Sequence, residues 1–275
     1  MFNNKDRSFR GDLELIINKI EKNEKFAFSR FGDGEMIIVN DQPINLLNKN
    51  TGEFRYIPND LRYAKSRELL INSFTYQSKN YFIGISCPCC VGVSNHEYMA
   101  TKSGISPTNL TWANLFVNSN YFYFMTRLFK KLKGEKVVLI SNELSNTSNF
   151  PLNLYREYSV GRDSWLHNLN LVDEIKEFIQ KEKLKDCYFL FCAGPLSNIA
   201  CCELHKFNKE NCYLDCGSIF DDMLGLGKTR GYLKGSSTLK KLVYGVKNEN
   251  INHWKWLCWK RDLSWFKRSL LPIGL

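Results

Sequence analysis

Two carboxylates two residues apart, Asp33 and Glu35, sit between glycines in Phe28-Ser29-Arg30-Phe31-Gly32-Asp33-Gly34-Glu35. The preceding residues, 25–31, read as a short strand, and on an extended backbone side chains at spacing two point to one side. Two hard oxygen ligands facing one way suit Mg²⁺ or Mn²⁺, ions that complete their coordination with water and substrate phosphates. Gly32 and Gly34 permit a sharp turn and close approach of a ligand to the backbone, and Arg30 offers a guanidinium fork for a phosphate. A polar turn uses the same residue types, so the spacing alone leaves both readings open.

Two further loops carry candidate chemistry. In Cys192-Ala193-Gly194-Pro195-Leu196-Ser197-Asn198 a strand ends, Gly194 turns the chain and Pro195 stands where a helix begins. Free backbone N–H groups and the helix dipole at such a point form an anion site, and Ser197 and Asn198 add hydrogen-bonding capacity. An ordinary strand-to-helix turn has the same composition. In Leu214-Asp215-Cys216-Gly217-Ser218-Ile219-Phe220-Asp221-Asp222, Asp215 reads as structural, bonding neighbouring amides. Asp221, further out, is the candidate to take a proton from an acceptor hydroxyl. Helix capping or simple solvation would also account for each of these acids.

The elements that must position these loops follow from periodicity. Residues 5–24, 60–76, 171–184 and 196–207 read as helices, the first with Leu13, Ile16, Ile17 and Ile20 on one face. Residues 81–85, 136–140, 187–192 and 212–216 read as buried strands, and 111–132 as helical in its second half. Residues 141–162, rich in Asn and Ser, read as loop. Short apolar strands alternating with helices imply an α/β fold, a Rossmann-like, largely parallel sheet flanked by helices. Ligands of such sheets bind beyond the carboxyl ends of the strands.

The chain has 275 residues, 44% hydrophobic and 24% charged, as in ordinary globular proteins. No apolar run approaches the roughly 20 residues that cross a bilayer, and the polar N-terminus is unlike a secretory signal, so a cytoplasmic protein is expected. The ten cysteines should then be reduced, mostly as small buried hydrophobes. Cys87-Pro88-Cys89-Cys90 hints at metal or redox chemistry, but no second Cys-x-x-Cys pair or His-x-x-x-His supports a zinc site. His96, His205 and His253 show no ligand spacing and read as packing or surface residues. Gly-x-Gly-x-x-Gly and Walker A patterns are missing, which argues against a dinucleotide oxidoreductase and an ATPase.

Taken together, Arg30 to Glu35, the Gly194-Pro195 turn and Asp215-Cys216-Gly217 resemble the GT-D-fold glycosyltransferases, whose Arg-x-Gly-Asp-Gly-Glu segment carries a metal-binding Asp-x-Glu. The segment Thr111-Trp112-Ala113-Asn114-Leu115-Phe116-Val117-Asn118 is similar to a family stretch near the donor site. The resemblance spans residues 26–221, and the first motif is its sharpest part. It implies transfer of a sugar from a nucleotide sugar, typically a UDP-sugar, to a glycan or glycoconjugate acceptor, with Mn²⁺ or Mg²⁺ at Asp33 and Glu35. Arg30, Gly32, Gly34, Gly194, Pro195, Ser197 and Asn198 would then hold phosphate or ribose, and Trp112, Asn114 and Asn118 would shape the nucleotide or sugar pocket. Relatives often carry His where this chain has Ser218.

A net charge of +10 favours polyanionic partners. Residues 228–275 interleave Lys and Arg with tryptophan and read as an extension packed on a core of residues 1–227. Arg230 lies close enough in sequence to the Asp221 loop to reach a diphosphate. The extension could stack on acceptor sugars, touch an anionic membrane peripherally, or bind single-stranded nucleic acid. The last use defines the alternative to a transferase, a nucleic-acid-binding α/β protein.

Overall fold

The computed structural model describes residues 9–47 and 54–230. The chain begins with α1 (Phe9–Glu21), β1 (Ala27–Phe31) and α2 (Asp33–Val39). A small antiparallel hairpin, β2 (Ile44–Asn45) and β3 (Arg55–Tyr56), leads into α3 (Ala64–Thr75) and β4 (Tyr81–Ile85). Then come α4 (Pro88–Val91), α5 (Val93–Ser103), β5 (Leu110–Trp112), α6 (Tyr121–Leu132), β6 (Val137–Asn142) and β7 (Leu154–Val160). The second half closes with α7 (Ser164–His167), α8 (Leu171–Lys181), β8 (Tyr188–Phe191), α9 (Pro195–Phe207) and β9 (Cys212–Asp215). His253 and the extension beyond residue 230 lie outside the described residues, as do the readings placed on them.

Seven strands form one sheet in the order β5-β4-β1-β9-β8-β6-β7, and every pairing is parallel. A parallel sheet needs both faces covered, so β4 and β8 are buried throughout and β1 and β9 are apolar except at Ser29, Arg30 and Asp215. Alternation along each strand sends neighbours to opposite faces. Val138 and Ile140 join the core under α3, α8 and α9, while Val137 and Leu139 join the core under α1 and α6. β8 divides in the same way, Phe189 and Phe191 against Tyr188 and Leu190. Cys187, Cys201, Cys202, Cys212 and Cys216 are buried thiols, as the composition implied.

Two expectations are corrected. Residues 141–162 are not all loop, because β7 runs through them as an edge strand. Tyr155, Arg156 and Glu157 are exposed, so it carries no apolar run. Arg156 covers Tyr158 and Phe178 at 5.0 and 4.7 Å, one way an edge is shielded from pairing. The second correction concerns the acidic motif: Asp33 and Glu35 do not continue an extended strand but form the first turn of α2.

Gly84 lets β4 and β5 approach. A Cβ there would lie 2.7 Å from the Trp112 carbonyl oxygen, a backbone atom that has no freedom to yield. Gly84→Ala is expected to destabilise the fold by about 1–3 kcal/mol, read as a lower urea midpoint at unchanged slope. An unchanged midpoint would contradict this spacing of the two strands.

Candidate functional site

Loops at the C-terminal ends of all seven parallel strands surround one cleft of about 1010 Å³. β1 and β9, the first and last described strands of the sheet, are neighbours at its middle. The floor of the cleft lies over them, where open parallel sheets bind ligands.

Asp215 holds that floor together. Its carboxylate accepts the Arg30 N–H at 3.0 Å and the Gly217 N–H at 3.1 Å, and lies 3.7 Å from the Arg30 Nε. Arg30 also donates from Nη1 to the Cys216 carbonyl at 3.4 Å. Burial raises the Asp215 carboxyl above its ordinary value, opposed by Arg30 and by the two amides. Gly217 has φ +53°, and a Cβ there would stand 2.1 Å from the Arg30 guanidinium, so glycine is favoured on both counts. From the other side, Asn198 Nδ2 donates to Ser29 Oγ at 3.0 Å and to the Arg30 carbonyl at 2.8 Å.

α2 begins at Gly32. Glu35, in its third position, reaches back so that Oε2 accepts the Gly32 N–H at 2.9 Å, one half of a capping box. Successive helical residues turn by about 100°, so Asp33 and Glu35 diverge, although both line the cleft. Asp33 is exposed and Glu35 half-buried. Desolvation, with the Asp215 charge adding to it, pushes the Glu35 carboxyl up to about 7, against the pull of its backbone hydrogen bonds and Arg30.

The Gly194 loop faces this motif across Phe54. A Cβ on Gly34 would meet that ring at 2.9 Å and one on Gly194 at 3.4 Å. Gly194, at φ +57°, caps the 13-residue helix α9 and turns that helix's positive end towards the cleft. Phe54 is held in place from behind. Asp163, buried and itself at φ +53°, accepts the Arg55 N–H at 3.2 Å, the Tyr63 hydroxyl at 3.2 Å and the Trp165 Nε1–H at 2.9 Å. Tyr63 stacks on Trp165 with ring centres 5.3 Å apart.

The opposite wall is the loop after β9. Asp221 is buried at the cleft surface, and the Thr229 hydroxyl donates to its carboxylate. Arg230 also lines the cleft, with its Nε 3.4 Å from Ser218 Oγ. Asn114, at the end of β5, lines it too and donates to Cys87 Sγ at 3.6 Å.

The structure therefore brings Arg30, Gly32, Asp33, Gly34, Glu35, Asn114, Gly194, Asp221 and Arg230 to one cleft. Trp112, Asn118, Pro195, Ser197 and Asn198 do not line it. Trp112 is buried beneath, stacked on His96 at 5.4 Å, and Asn118 is exposed. Ser197 Oγ accepts the Ala193 N–H at 3.0 Å, and Asn198 braces β1, so both shape the cleft from inside the fold. His96 and His205 are buried packing residues. Sequence reasoning missed Phe54 and Asp163; the glycines at 34 and 194 announced that something comes close, but not what.

Among the described residues no group of three or more His, Cys, Asp or Glu is placed to hold a metal ion. Asp33 and Glu35 offer at most two carboxylates. That donor set fits Mg²⁺ or Mn²⁺ arriving with substrate phosphates, which normally supply the remaining ligands, rather than an ion held by protein alone.

No protein-family profile and no curated protein matches the chain. Two solved structures do. One is described as showing that the highly conserved domain of unknown function 1792 has a distinct glycosyltransferase fold, and the other is a selenomethionine-substituted structure of that domain. Each aligns over 79% of this chain and 81% of its own, with a TM-score of 0.51 and 14% identity. The chain thus has a glycosyltransferase fold, as the sequence resemblance implied.

Glu35 should leave a signature in stability. Between its ordinary 4.5 and about 7 the folded protein retains a proton that the unfolded chain releases. The folded state then binds more protons, so this contribution to stability falls as pH rises through that window. His205, pushed down to about 4 by burial, slopes the opposite way, and comparison with Glu35→Gln cancels it. The stability of wild type relative to Glu35→Gln is expected to drop by on the order of 3 kcal/mol across the window. Parallel urea curves at pH 4.5 and pH 7 would contradict it.

Proposed function

We propose that the chain is a metal-dependent glycosyltransferase that moves a sugar from a nucleotide sugar, UDP-linked in the first instance, to a hydroxyl of a glycan, glycoprotein or glycolipid. The observation that carries this reading is the convergence of Arg30, the N-terminus of α9 and the carboxylates Asp33, Glu35 and Asp221 on one cleft of a glycosyltransferase fold.

Each group has a role that its setting supports. Arg30, held by Asp215 and the Cys216 carbonyl, presents an oriented positive charge at the cleft floor. The positive end of α9 at Gly194 and the Arg230 side chain supply further attraction for a diphosphate. Mn²⁺ or Mg²⁺ at Asp33 and Glu35 would offset the charge that develops on the departing nucleoside diphosphate. Asp221, steadied by Thr229, takes the proton of the acceptor hydroxyl as that oxygen bonds to the anomeric carbon. The bond from that carbon to the diphosphate oxygen breaks, and the electron pair leaves with the nucleotide. This is an inverting displacement; a retaining enzyme would not need the base.

Calorimetric titration of UDP with and without Mn²⁺ tests the donor site. Manganese-dependent binding is expected in wild type and is expected to be lost in the Asp33→Ala/Glu35→Ala variant, while Mn²⁺ without nucleotide binds weakly to both. Equal binding by wild type and variant would remove both acids from the donor site. Asp221→Asn is expected to lower transfer by roughly 10²–10⁴-fold while UDP affinity is kept. Undiminished transfer would exclude Asp221 as the base and favour retention.

A further inference from the structure

Cys87-Pro88-Cys89-Cys90 is left unused by the transferase reading. β4 ends at Ile85, and the chain passes directly into α4. The Cys90 N–H donates to the Cys87 carbonyl at 2.8 Å. A turn closed by such a bond brings its end α-carbons within about 7 Å, and disulfides join α-carbons about 4.4–6.8 Å apart. Both residues are thiols and both line the cleft, Cys90 exposed and Cys87 buried. Cys87 is also coupled to the rest of the site, because its sulfur accepts the Asn114 amide at 3.6 Å. Asn114 in turn organises the segment after β5: its carbonyl accepts the Val117 N–H at 3.2 Å, next to the Leu115 N–H bond to the Trp112 carbonyl at 3.1 Å. Two thiols three residues apart across this turn have the spacing that disulfide chemistry uses.

We propose that Cys87 and Cys90 are a reversible dithiol–disulfide site in the wall of the cleft, oxidised by small disulfides such as oxidised glutathione, and that closing the bond releases Asn114. The exposed Cys90 reacts first. Its thiolate attacks one sulfur of the glutathione disulfide, the S–S bond breaks, and one glutathione leaves as thiolate. The Cys87 thiolate then attacks the Cys90 sulfur and displaces the second glutathione. Two electrons pass from the protein to the glutathione disulfide, and the two protons lost by the cysteines end on two glutathione thiols. Once in the disulfide, the Cys87 sulfur turns towards Cys90, and the segment that Asn114 anchors to it loosens. Formation of the bond is independent of the transferase reading; only an effect on donor binding rests on it.

The test treats the full chain with excess oxidised glutathione and then with dithiothreitol. The expected product is lighter by two hydrogens, with fragmentation placing the bond between Cys87 and Cys90. The bond should persist in Cys89→Ser, be absent from Cys90→Ser and disappear on reduction. Backbone amides of Leu115 and Val117 should exchange hydrogen about tenfold faster in the oxidised protein. Asn114→Ala should reproduce that acceleration without oxidation. Failure to form the bond, a bond between other cysteines, or unchanged exchange at both amides would overturn the proposal. Because neither readout involves a nucleotide, a protein that forms the bond but never binds UDP would sustain the pair and remove UDP as the donor nucleotide.

Discussion

The grip of buried Asp215 on Arg30 is the constraint on which the site depends. A carboxylate in this position is expensive to bury unless its oxygens are filled. The Arg30 amide, the Gly217 amide and the Arg30 guanidinium fill them. In satisfying itself, Asp215 joins the end of β1 to the loop after β9 and sets the guanidinium at the cleft floor, where a Cβ at position 217 would meet it. Removing one partner of such a pair leaves the other charge buried, typically at a cost of about 3–5 kcal/mol. The end of β1, which leads into the acidic motif, and the loop that carries Asp221 are consequently tied together.

A second buried acid does the same for the roof. Asp163 gathers donors from the hairpin, the start of α3 and α7, and so fixes Arg55 and the neighbouring Phe54. That ring separates Gly34 from Gly194, which explains why the two loops expected to hold a diphosphate are both built on glycine. On the proposed function, two diverging carboxylates would need a bound diphosphate to complete the coordination of a divalent ion.

The centre of the fold was legible because its strands are buried on both faces. Residues 81–85, 187–192 and 212–216 announce themselves as apolar runs, and the turn into α9 by Gly194-Pro195. The edges were not, since β7 exposes charge and tyrosine and β5 has only three residues. The order of the acidic motif was legible and its backbone was not. A glycine followed three residues later by Glu35, and then by Met36-Ile37-Ile38-Val39, is a helix-start signature, which the strand before it obscured. Asp215 was recognisable as structural, but its partner Arg30 lies 185 residues away. Asp163 had no local signal, because its donors come from residues 55, 63 and 165, which only the folded chain assembles.

The most direct test of a diphosphate site at the end of β1 is a crystal structure of the full chain grown with UDP and Mn²⁺, with the manganese located by anomalous scattering. The diphosphate is expected over β1 and β9, with oxygens about 3 Å from Arg30 or from backbone amides of the Gly194 loop, and with the manganese between it and Asp33 or Glu35. A nucleotide bound elsewhere, or a manganese peak away from both carboxylates, would contradict the assignment.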